Sequence, residues 1–558
     1  MSTPDGSETS FTFRFREPTG PPEQRGGRPP AYRRDVSDSF IIERDVAVEL
    51  RGGVVVHVDL FRPADEAPAP PLIAWGPYGK HADLPITQLY PDGGVAVGQL
   101  SEHTGFESPD PVFWVRRGYV VVNVDPPGTW YSGGDATFIS PEEAAYGYDL
   151  VEWAGTQPWS NGKVGLSGVS YLTTSQWNIA QLQPPHLSAI NPWEGWSDTY
   201  REVARHGGIP ETSFWPYIAR RWGYGLHLVE DLLAEDAEHP FLDAFWASKA
   251  PRLEEITAPA YVVASYSDQG LHTRGTLEGF KRIASTHKWL EVHGGKKWGH
   301  YYSEEGLGRQ VAFFDHFLKG VDNDVPSWPT VRFDVRDDHR SATRKEATGW
   351  PVPNAEDLVR YLDATTGTLV AEHPTDEAVT EYDSEQLGRT RRRATFDWRF
   401  DEPAELVGGA RLHLWVSSPD ADDLDLFVAI QKLDRYGDPV GFNYYAVFLD
   451  GPVALGWLRA SHRELDPARS TPTQPVLLHQ RELKVSPGDV VPVDIEILAS
   501  GTRFAEGETL RLVVQGTDIY QHPRPLTHPV HAKRVNSGLH RIHSGGDHDS
   551  YLVIPRLR

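Results

Sequence analysis

Ser170 has the sequence context of a nucleophile, in the short stretch Gly-Val-Ser-Tyr. The apolar run at 163–167 predicts a buried strand, and residues 171–181 have helical spacing and stop at two prolines. A serine at a sharp strand-to-helix turn presents its hydroxyl above the sheet, and the N–H of the next residue faces the same space. Gly168 lacks a side chain that would obstruct so tight a turn. The pattern predicts nucleophilic catalysis by Ser170, with Ser167 as the next candidate.

A nucleophilic serine needs a base, and the base needs a carboxylate that orients it. In α/β folds with such a turn, the chain order is serine, then carboxylate, then histidine, each on a loop after a strand. Asp268 follows the predicted strand 260–264, and His300 follows the predicted strand 289–292. Asp268 and His300 therefore match the expected chain order and the expected loop positions of the carboxylate and the base. His293 lies closer to the strand end and stays open as the base.

The elements that must position these residues alternate between strand and helix up to about residue 195 and again from about 256 to 325. The sequence Ser-Pro-Glu-Glu at 140–143 is a capping box that opens a helix to about residue 155. Such alternation predicts a mostly parallel sheet with helices on both faces, an α/β-hydrolase arrangement. Beyond about 325 come short β runs, one of them at 477–485, which predict an all-β, jelly-roll-like domain.

The predicted domains follow from these changes of pattern. They are an extended or disordered arm (1–35), an α/β catalytic domain (36–195 and 256–325), an inserted helical cap (196–255) and a jelly-roll β-sandwich (326–558).

Composition excludes several classes of function. The 558 residues carry a net charge of −24, which argues against nucleic acid and anionic membranes as partners. With no cysteine, disulfides, thiolate metal sites and cysteine nucleophiles are excluded. No apolar run approaches the ~20 residues that span a bilayer, and the N-terminus lacks the apolar core of a secretory signal. We expect a cytoplasmic enzyme without cofactor or metal, and homo-oligomerisation is left open.

Aromatic and charged residues after the predicted sheet strands are candidates for the acyl pocket, the alternative being that they pack the cap on the sheet. The candidates are Trp193, Glu194, Trp196, His206, Trp215 and, beside His300, Trp298, with Asp198, Arg201 and Tyr217 in the same set. The acidic cluster at 420–425 fits turns and strand ends better than a cation site.

Several segments together resemble the cocaine esterase-like hydrolases, which are related to X-Pro dipeptidyl peptidases and α-amino acid ester hydrolases. The resemblance runs from about residue 40 to the C-terminus. The segments that carry it are 48–63, Gly-Pro-Tyr-Gly-Lys at 76–80, Arg-Gly-Tyr-Val-Val-Val at 117–122, Gln-Pro-Trp-Ser-Asn-Gly at 157–162, Gly-Val-Ser-Tyr-Leu at 168–172, Asp268, Trp-Gly-His at 298–300, and the ending at 544–555.

This resemblance implies an α/β-hydrolase, a helical cap and a C-terminal jelly roll. It implies Ser170, Asp268 and His300 as the triad, and the Tyr78 hydroxyl with the Tyr171 backbone N–H as the oxyanion hole. From the sequence alone, Tyr78 reads more simply as a packed aromatic residue at a strand end.

Two positions depart from the family pattern. The family usually has Asp-x-Arg-Gly after the strand that precedes the capping-box helix, whereas this chain has Asp125-Pro-Pro-Gly128 and lacks the arginine that braces the loop. Thr173 replaces a glycine often found three residues after the serine, and we expect it to crowd the start of the helix.

Acyl transfer to water is the predicted chemistry, on a small-molecule ester or amide, with an ester as the favoured bond. The alternatives are an Xaa-Pro dipeptidyl-peptidase or an amide or α-amino acid ester acylase on the same triad. A further alternative is an inactive jelly-roll binding protein, against which the complete set of candidate residues argues.

Overall fold

The structure is a computed structural model that describes residues 11–37, 39–65, 67–80, 85–387, 391–522 and 528–558. The chain divides into two compact units. The first comprises Met1–Pro85, Leu100–Ile190 and Pro216–Ala258, and the second comprises Ile86–Gln99, Asn191–Trp215 and Pro259–Arg558. The segment predicted as a cap is thus divided between the units after Trp215.

The strands of the described residues are, in chain order, β1 (Phe15–Arg16), β2 (Arg33–Val36), β3 (Phe40–Glu49), β4 (Val55–Pro63), β5 (Pro71–Trp75), β6 (Val120–Asp125), β7 (Val164–Val169), β8 (Leu187–Trp193), β9 (Arg205–His206), β10 (Ile209–Pro210), β11 (Val229–Glu230), β12 (Ala260–Ser265), β13 (Lys288–His293), β14 (Val331–Arg336), β15 (Ala342–Ala347), β16 (Ala355–Asp363), β17 (Thr368–Val370), β18 (Ala378–Asp383), β19 (Arg393–Arg399), β20 (Ala404–Ser417), β21 (Asp425–Leu433), β22 (Pro439–Val440), β23 (Phe442–Tyr444), β24 (Phe448–Gly451), β25 (Ala454–Arg459), β26 (Val491–Phe504), β27 (Thr509–Gln515), β28 (Leu539–Ser544) and β29 (Tyr551–Leu557). The α-helices are α1 (Ile86–Leu89), α2 (Pro111–Val115), α3 (Pro141–Gly155), α4 (Tyr171–Ala180), α5 (Phe214–Arg221), α6 (Leu232–Glu238), α7 (Ala244–Ser248), α8 (Thr273–Arg282), α9 (Lys297–Tyr301) and α10 (Glu304–Phe314).

In the first unit, β5 lies between β6 and β7 and pairs with both in parallel, while β4 pairs antiparallel with β6. Every residue of β5, β6 and β7 is buried, as expected of parallel strands covered on both faces. Ser140 caps α3 as predicted, its hydroxyl accepting the Glu143 N–H at 3.0 Å, while the Glu143 carboxylate accepts the Ile139 N–H and not that of Ser140. The predicted strand and helix around Ser170 are confirmed as β7 and α4.

Of the predicted N-terminal arm, residues 1–10 lie outside the described part of the chain. The remainder forms β1, which pairs with β11, a 3₁₀ turn at Pro22–Arg25, and β2, which pairs antiparallel with β3.

In the second unit, β12, β13 and β14 pair in parallel, and β15 adds to β14 antiparallel. The later strands pair in the order β16, β29, β20, β26, β25, β21, β27, β19 and β17, and β17 returns to β16. These pairings close a β-barrel around an apolar core that includes Leu412, Leu414, Ile495 and Leu512. The all-β character is confirmed, and the jelly-roll topology stays a prediction.

The strand predicted at 477–485 is wrong. The Leu478 N–H donates to Glu464 O and the Leu483 N–H to Ser461 O, so an irregular segment follows the chain at 461–464. His479 has a φ of 53°, which a strand does not accommodate. These backbone contacts with residues 461–464 replace the ladder that the apolar composition suggested.

Among the residues that the structure describes, no helix has the length and apolar character needed to cross a bilayer.

Candidate active site

Ser170 occupies a strained turn between β7 and α4. Its φ of 62° and ψ of −118° lie outside the regions that most side-chain-bearing residues adopt, and the residue is 5% exposed. Gly168 makes the turn sterically accessible, because a Cβ there would lie 2.4 Å from Leu172 Cδ2. The conformation is that of a nucleophile elbow, as predicted from the sequence.

The start of α4 is fixed by hydrogen bonds around this turn. The N–H groups of Thr173 and Thr174 donate to Ser170 O at 2.9 and 3.1 Å. The Thr173 hydroxyl donates to Gly168 O at 3.0 Å, linking the first turn of the helix to the end of β7. The threonine that replaces the expected glycine therefore braces the elbow instead of crowding it.

Tyr78 approaches the nucleophile from the loop after β5. Its hydroxyl lies 3.5 Å from Ser170 Oγ, and its ring packs edge-on against Phe106. Burial and the nearby Glu107 carboxylate raise the pKa of Tyr78 well above its usual range, while the Ser170 hydroxyl and the Tyr171 backbone lower it in part. The phenol therefore stays protonated at neutral pH and keeps a hydrogen to donate.

Tyr171, whose backbone N–H is the second predicted oxyanion donor, is anchored through its side chain. The hydroxyl donates to both oxygens of Glu143, at 2.8 and 2.7 Å, and the same carboxylate accepts Trp75 Nε1–H at 2.9 Å. Burial raises the pKa of Glu143 although these donors act to lower it. Glu143 of the capping box thus ties α3, β5 and the first residue of α4 together.

In the second unit, Asp268 lies after β12 and is buried. One of its carboxylate oxygens contacts His272 Nδ1 and also accepts Lys297 Nζ at 3.0 Å. Burial alone would raise the pKa of Asp268, but the charges of Lys297 and His272 hold it below its usual range. His272 stacks on Trp196, with ring centroids 5.6 Å apart.

His293 and His300 have other carboxylate partners. His300 Nε2 lies 2.9 Å from Glu291 Oε1, and His293 Nε2 lies 2.9 Å from Glu194 Oε1. Their rings are 4.1 Å apart. Within the described part of the second unit, Asp268 and His300 share no hydrogen bond.

Glu291, the carboxylate partner of His300, lies among arginine side chains. The charges of Arg309, Arg332 and Arg344 surround this carboxylate, at 3.2, 3.8 and 3.2 Å. Burial raises its pKa, but the His300 hydrogen bond and the arginine charges lower it below the usual range. Glu291 is therefore a buried anion at neutral pH.

The candidate pocket residues differ in their surroundings. Trp193, Glu194, Trp196 and Trp215 are buried, and Trp298 packs against Tyr90 at 4.4 Å. His206 lines a small cavity of about 50 Å³ together with Arg201, Arg274 and Trp457. The assignment of these residues to an acyl pocket stays a prediction.

Sequence reasoning did not identify the partners of the candidate acids and bases. His272 is four residues after Asp268, and this spacing at a helix start was the one available signal. Glu291 lies inside a strand and Glu143 inside a capping box, so each had a structural interpretation that concealed its contacts.

Two family models match the chain. The model described as X-Pro dipeptidyl-peptidase (S15 family) matches residues 52–221, and the X-Pro dipeptidyl-peptidase C-terminal non-catalytic domain matches residues 323–553.

Relatives are found along nearly the whole chain. The crystal structure of a CocE/NonD family hydrolase from Staphylococcus aureus is 43% identical, covers 95% of this chain and 98% of its own, and superposes with a TM-score of 0.90. Cocaine esterase from Rhodococcus sp. (strain MB1 Bresler) is 23% identical over 94% of this chain and 100% of its own length. An Xaa-Pro dipeptidyl-peptidase from Lacticaseibacillus rhamnosus is 23% identical over 75% of this chain and 61% of its own.

Glu194, the carboxylate that contacts His293, provides a test of the electrostatics of the candidate site. Burial and the charge of Asp268 raise the pKa of Glu194 to about 7, above the ~4.3 of an unfolded glutamate. Its contribution to stability is therefore complete below about pH 4 and declines as the pH rises towards 7. Glu194→Gln has no carboxyl to ionise. We expect the Tm of this variant, relative to that of the unmodified protein, to increase from pH 5 to pH 8 in thermal unfolding.

His293 does not confound this comparison, because burial and the charge of His300 hold its pKa well below 6.5. A Tm difference that is the same at both pH values would contradict the assignment.

Proposed function

Because the chain belongs to the CocE/NonD family of hydrolases, with an α/β-hydrolase part and a C-terminal domain, we propose that it is a serine esterase that cleaves carboxylic esters through an acyl-enzyme. The observation that carries the proposal is Ser170 in a left-handed elbow with the Tyr78 hydroxyl 3.5 Å from its Oγ. In the same proposal, residues 196–255 form a helical cap and residues 326–558 a jelly roll.

In the first step, Ser170 Oγ attacks the acyl carbon as a histidine takes its proton, and the carbonyl oxygen becomes negative. Tyr78 Oη–H and the Tyr171 N–H donate to this oxyanion in place of their present contacts, while the Tyr78 ring stays packed on Phe106 and the Tyr171 side chain stays bound to Glu143. The protonated histidine then gives its proton to the leaving alcohol. Water, deprotonated by the same histidine, releases the acid and restores Ser170.

His300 is the proposed base and Asp268 the proposed orienting acid, by chain order and by their loops, although the carboxylate of Asp268 contacts His272 and Lys297 and His300 contacts Glu291. The Glu291 carboxylate only accepts hydrogen bonds, so His300 Nε2 carries the hydrogen and Nδ1 holds the lone pair. Among the described residues, Nδ1 of His300 has no hydrogen-bond partner, which suits a group that must accept a proton.

A second candidate for the base is His272. Its Nδ1 contacts the Asp268 carboxylate, so the hydrogen is on Nδ1 and the lone pair on Nε2. This is the tautomer that a triad base requires.

An ester is the proposed bond because the cocaine esterase relative aligns over its whole length, whereas the Xaa-Pro dipeptidyl-peptidase relative aligns over 61% of its own. The alternative is an Xaa-Pro dipeptidyl-peptidase or an acylase on the same residues. The proposed enzyme is cytoplasmic and acts on a small molecule without a cofactor.

The nucleophile is tested by Ser170→Ala. We expect turnover of p-nitrophenyl esters to fall by at least about 10³-fold and fluorophosphonate labelling to disappear, since the attacking oxygen is removed. Circular dichroism should show an unchanged fold. Ser167→Ala is the matched control, because Ser167 is buried inside β7, and it should retain turnover. Near wild-type turnover by Ser170→Ala would move the nucleophile elsewhere.

The base is tested by three single substitutions, His300→Gln, His272→Gln and His293→Gln. We expect His300→Gln to lower kcat by orders of magnitude and His293→Gln to be mild, because both nitrogens of His293 are already engaged, by Glu194 and by the Gly295 N–H.

The carboxylate variants complete this test. If Asp268 orients the base, Asp268→Asn should lower kcat by about 10⁴-fold while Glu291→Gln has a much smaller effect. A larger loss in His272→Gln than in His300→Gln would assign the base to His272.

Substrate class is tested by comparing kcat/KM for a series of aryl and alkyl esters with that for Xaa-Pro p-nitroanilides. We expect esters to be cleaved and the anilides to be poor substrates. A higher kcat/KM on an Xaa-Pro anilide than on the best ester would favour the dipeptidyl-peptidase alternative.

A further inference from the structure

The loop that carries Tyr78 is attached on one side of the tyrosine to the loop after β6 and on the other side to the last residue of β6. This oxyanion loop, residues 76–80, follows β5, and the second loop, residues 126–136, follows β6. Before Tyr78, the Pro77 carbonyl accepts Trp130 Nε1–H at 3.2 Å. After it, the Lys80 N–H donates to Asp125 Oδ1 at 2.7 Å.

Trp130 also contacts the residue directly after Tyr78. Gly79 has a φ of +99°, and a Cβ at this position would lie 2.6 Å from Trp130 Cζ2. The indole face therefore packs on the backbone of the oxyanion loop, and only glycine allows both the conformation and the approach.

The second loop is itself rigidly held. The Ser132 hydroxyl donates to Asp125 O at 2.7 Å, the Trp130 N–H to Tyr224 O at 2.9 Å, and the Gly128 N–H to Gly133 O at 3.0 Å. Asp125 and Trp130 are 4% and 5% exposed. The loop is thus a fixed support even though it lacks the arginine expected at this place.

We infer that Asp125 and Trp130 are positioning residues that hold the oxyanion loop so that the Tyr78 hydroxyl faces Ser170 Oγ. The inference rests on the proposed function, in which Tyr78 donates to the oxyanion. The physical reason is geometric, because a small rotation of the backbone at Tyr78 produces a larger displacement of the hydroxyl at the far end of the ring. A misplacement of about 1 Å in such a group can cost about 10²-fold in rate.

Lys80 completes the support on the other side. Its Nζ contacts Asp45 and lies 3.3 Å from Asp59 Oδ1, so both its backbone and its side chain are anchored. Burial raises the pKa of Asp125 to about 7, although the charge of Lys80 lowers it in part. A protonated and an ionised carboxyl both keep an oxygen that can accept the Lys80 N–H.

The test is a double-mutant cycle in the full-length enzyme with a p-nitrophenyl ester as substrate. Tyr78→Phe should lower kcat by about 10²–10³-fold, as for loss of one oxyanion donor. Trp130→Phe keeps an aromatic ring against Gly79 but removes the Nε1–H donor, and should lower kcat by about tenfold with KM within about twofold. The double variant should be no slower than Tyr78→Phe within about twofold, because Trp130 acts only through Tyr78.

Two variants of Asp125 supply an independent test. Asp125→Ala removes the acceptor of the Lys80 N–H and should lower kcat by about ten- to a hundredfold, whereas Asp125→Asn keeps an acceptor oxygen and should stay within about threefold of wild type. If Asp125→Ala does not fold, the Trp130 cycle decides. Trp153→Phe, on α3, is the matched tryptophan control and should leave kcat unchanged.

Multiplicative effects of Trp130→Phe and Tyr78→Phe would overturn the inference, as would wild-type kcat in Tyr78→Phe or in Trp130→Phe. The Ser170→Ala variant distinguishes a failure of the positioning role from a failure of the proposed serine mechanism. If Ser170→Ala is inactive and the cycle is multiplicative, only the positioning role fails. If Ser170→Ala keeps its turnover, the proposed serine mechanism fails.

Discussion

The left-handed backbone at Ser170 is the constraint on which the rest of the candidate site depends. A non-glycine residue in this conformation costs about 1–3 kcal/mol and persists only where the surroundings over-determine it. Here β7 is entirely buried before the turn, and α4 is entirely buried after it. Gly168 permits the close packing of Leu172, and Thr173 closes the turn with its hydroxyl. The backbone strain at Ser170 is therefore offset by packing on both sides of the turn. The result is a fixed position for the Ser170 hydroxyl group.

Near this turn, the buried carboxylate of Glu143 is held by donors from other elements. Glu143 accepts hydrogen bonds from Trp75 and Tyr171, so a single carboxylate fixes one helix against the start of another. Satisfied networks of this kind are stiff because a buried donor or acceptor that loses its partner is costly. Stiffness is what an oxyanion donor needs, since its value lies in not having to reorganise as charge develops.

The sequence predicts local structure well where a local rule decides it. The strand–turn–helix at Ser170, the capping box at Ser140 and the all-β character after residue 325 each follow from residues close together in the chain. Prediction fails where distant contacts decide. The segment at 477–485 has the composition of a strand, but its backbone bonds to residues 461–464 prevent a ladder. Likewise, the contact between Asp268 and Lys297 depends on tertiary structure, and no periodicity encodes it.

The choice of the base among the histidines also depends on contacts that the sequence does not predict. Chain order admits both His293 and His300, because His293 is the last residue of β13 and His300 follows that strand. The distinction lies in the ring nitrogens. Both nitrogens of His293 are engaged, Nδ1 by the Gly295 N–H and Nε2 by Glu194, so accepting a proton from serine would first break a hydrogen bond. His300 donates to Glu291 and keeps the other lone pair for a proton. This difference supports the proposal that His300, and not His293, is the base.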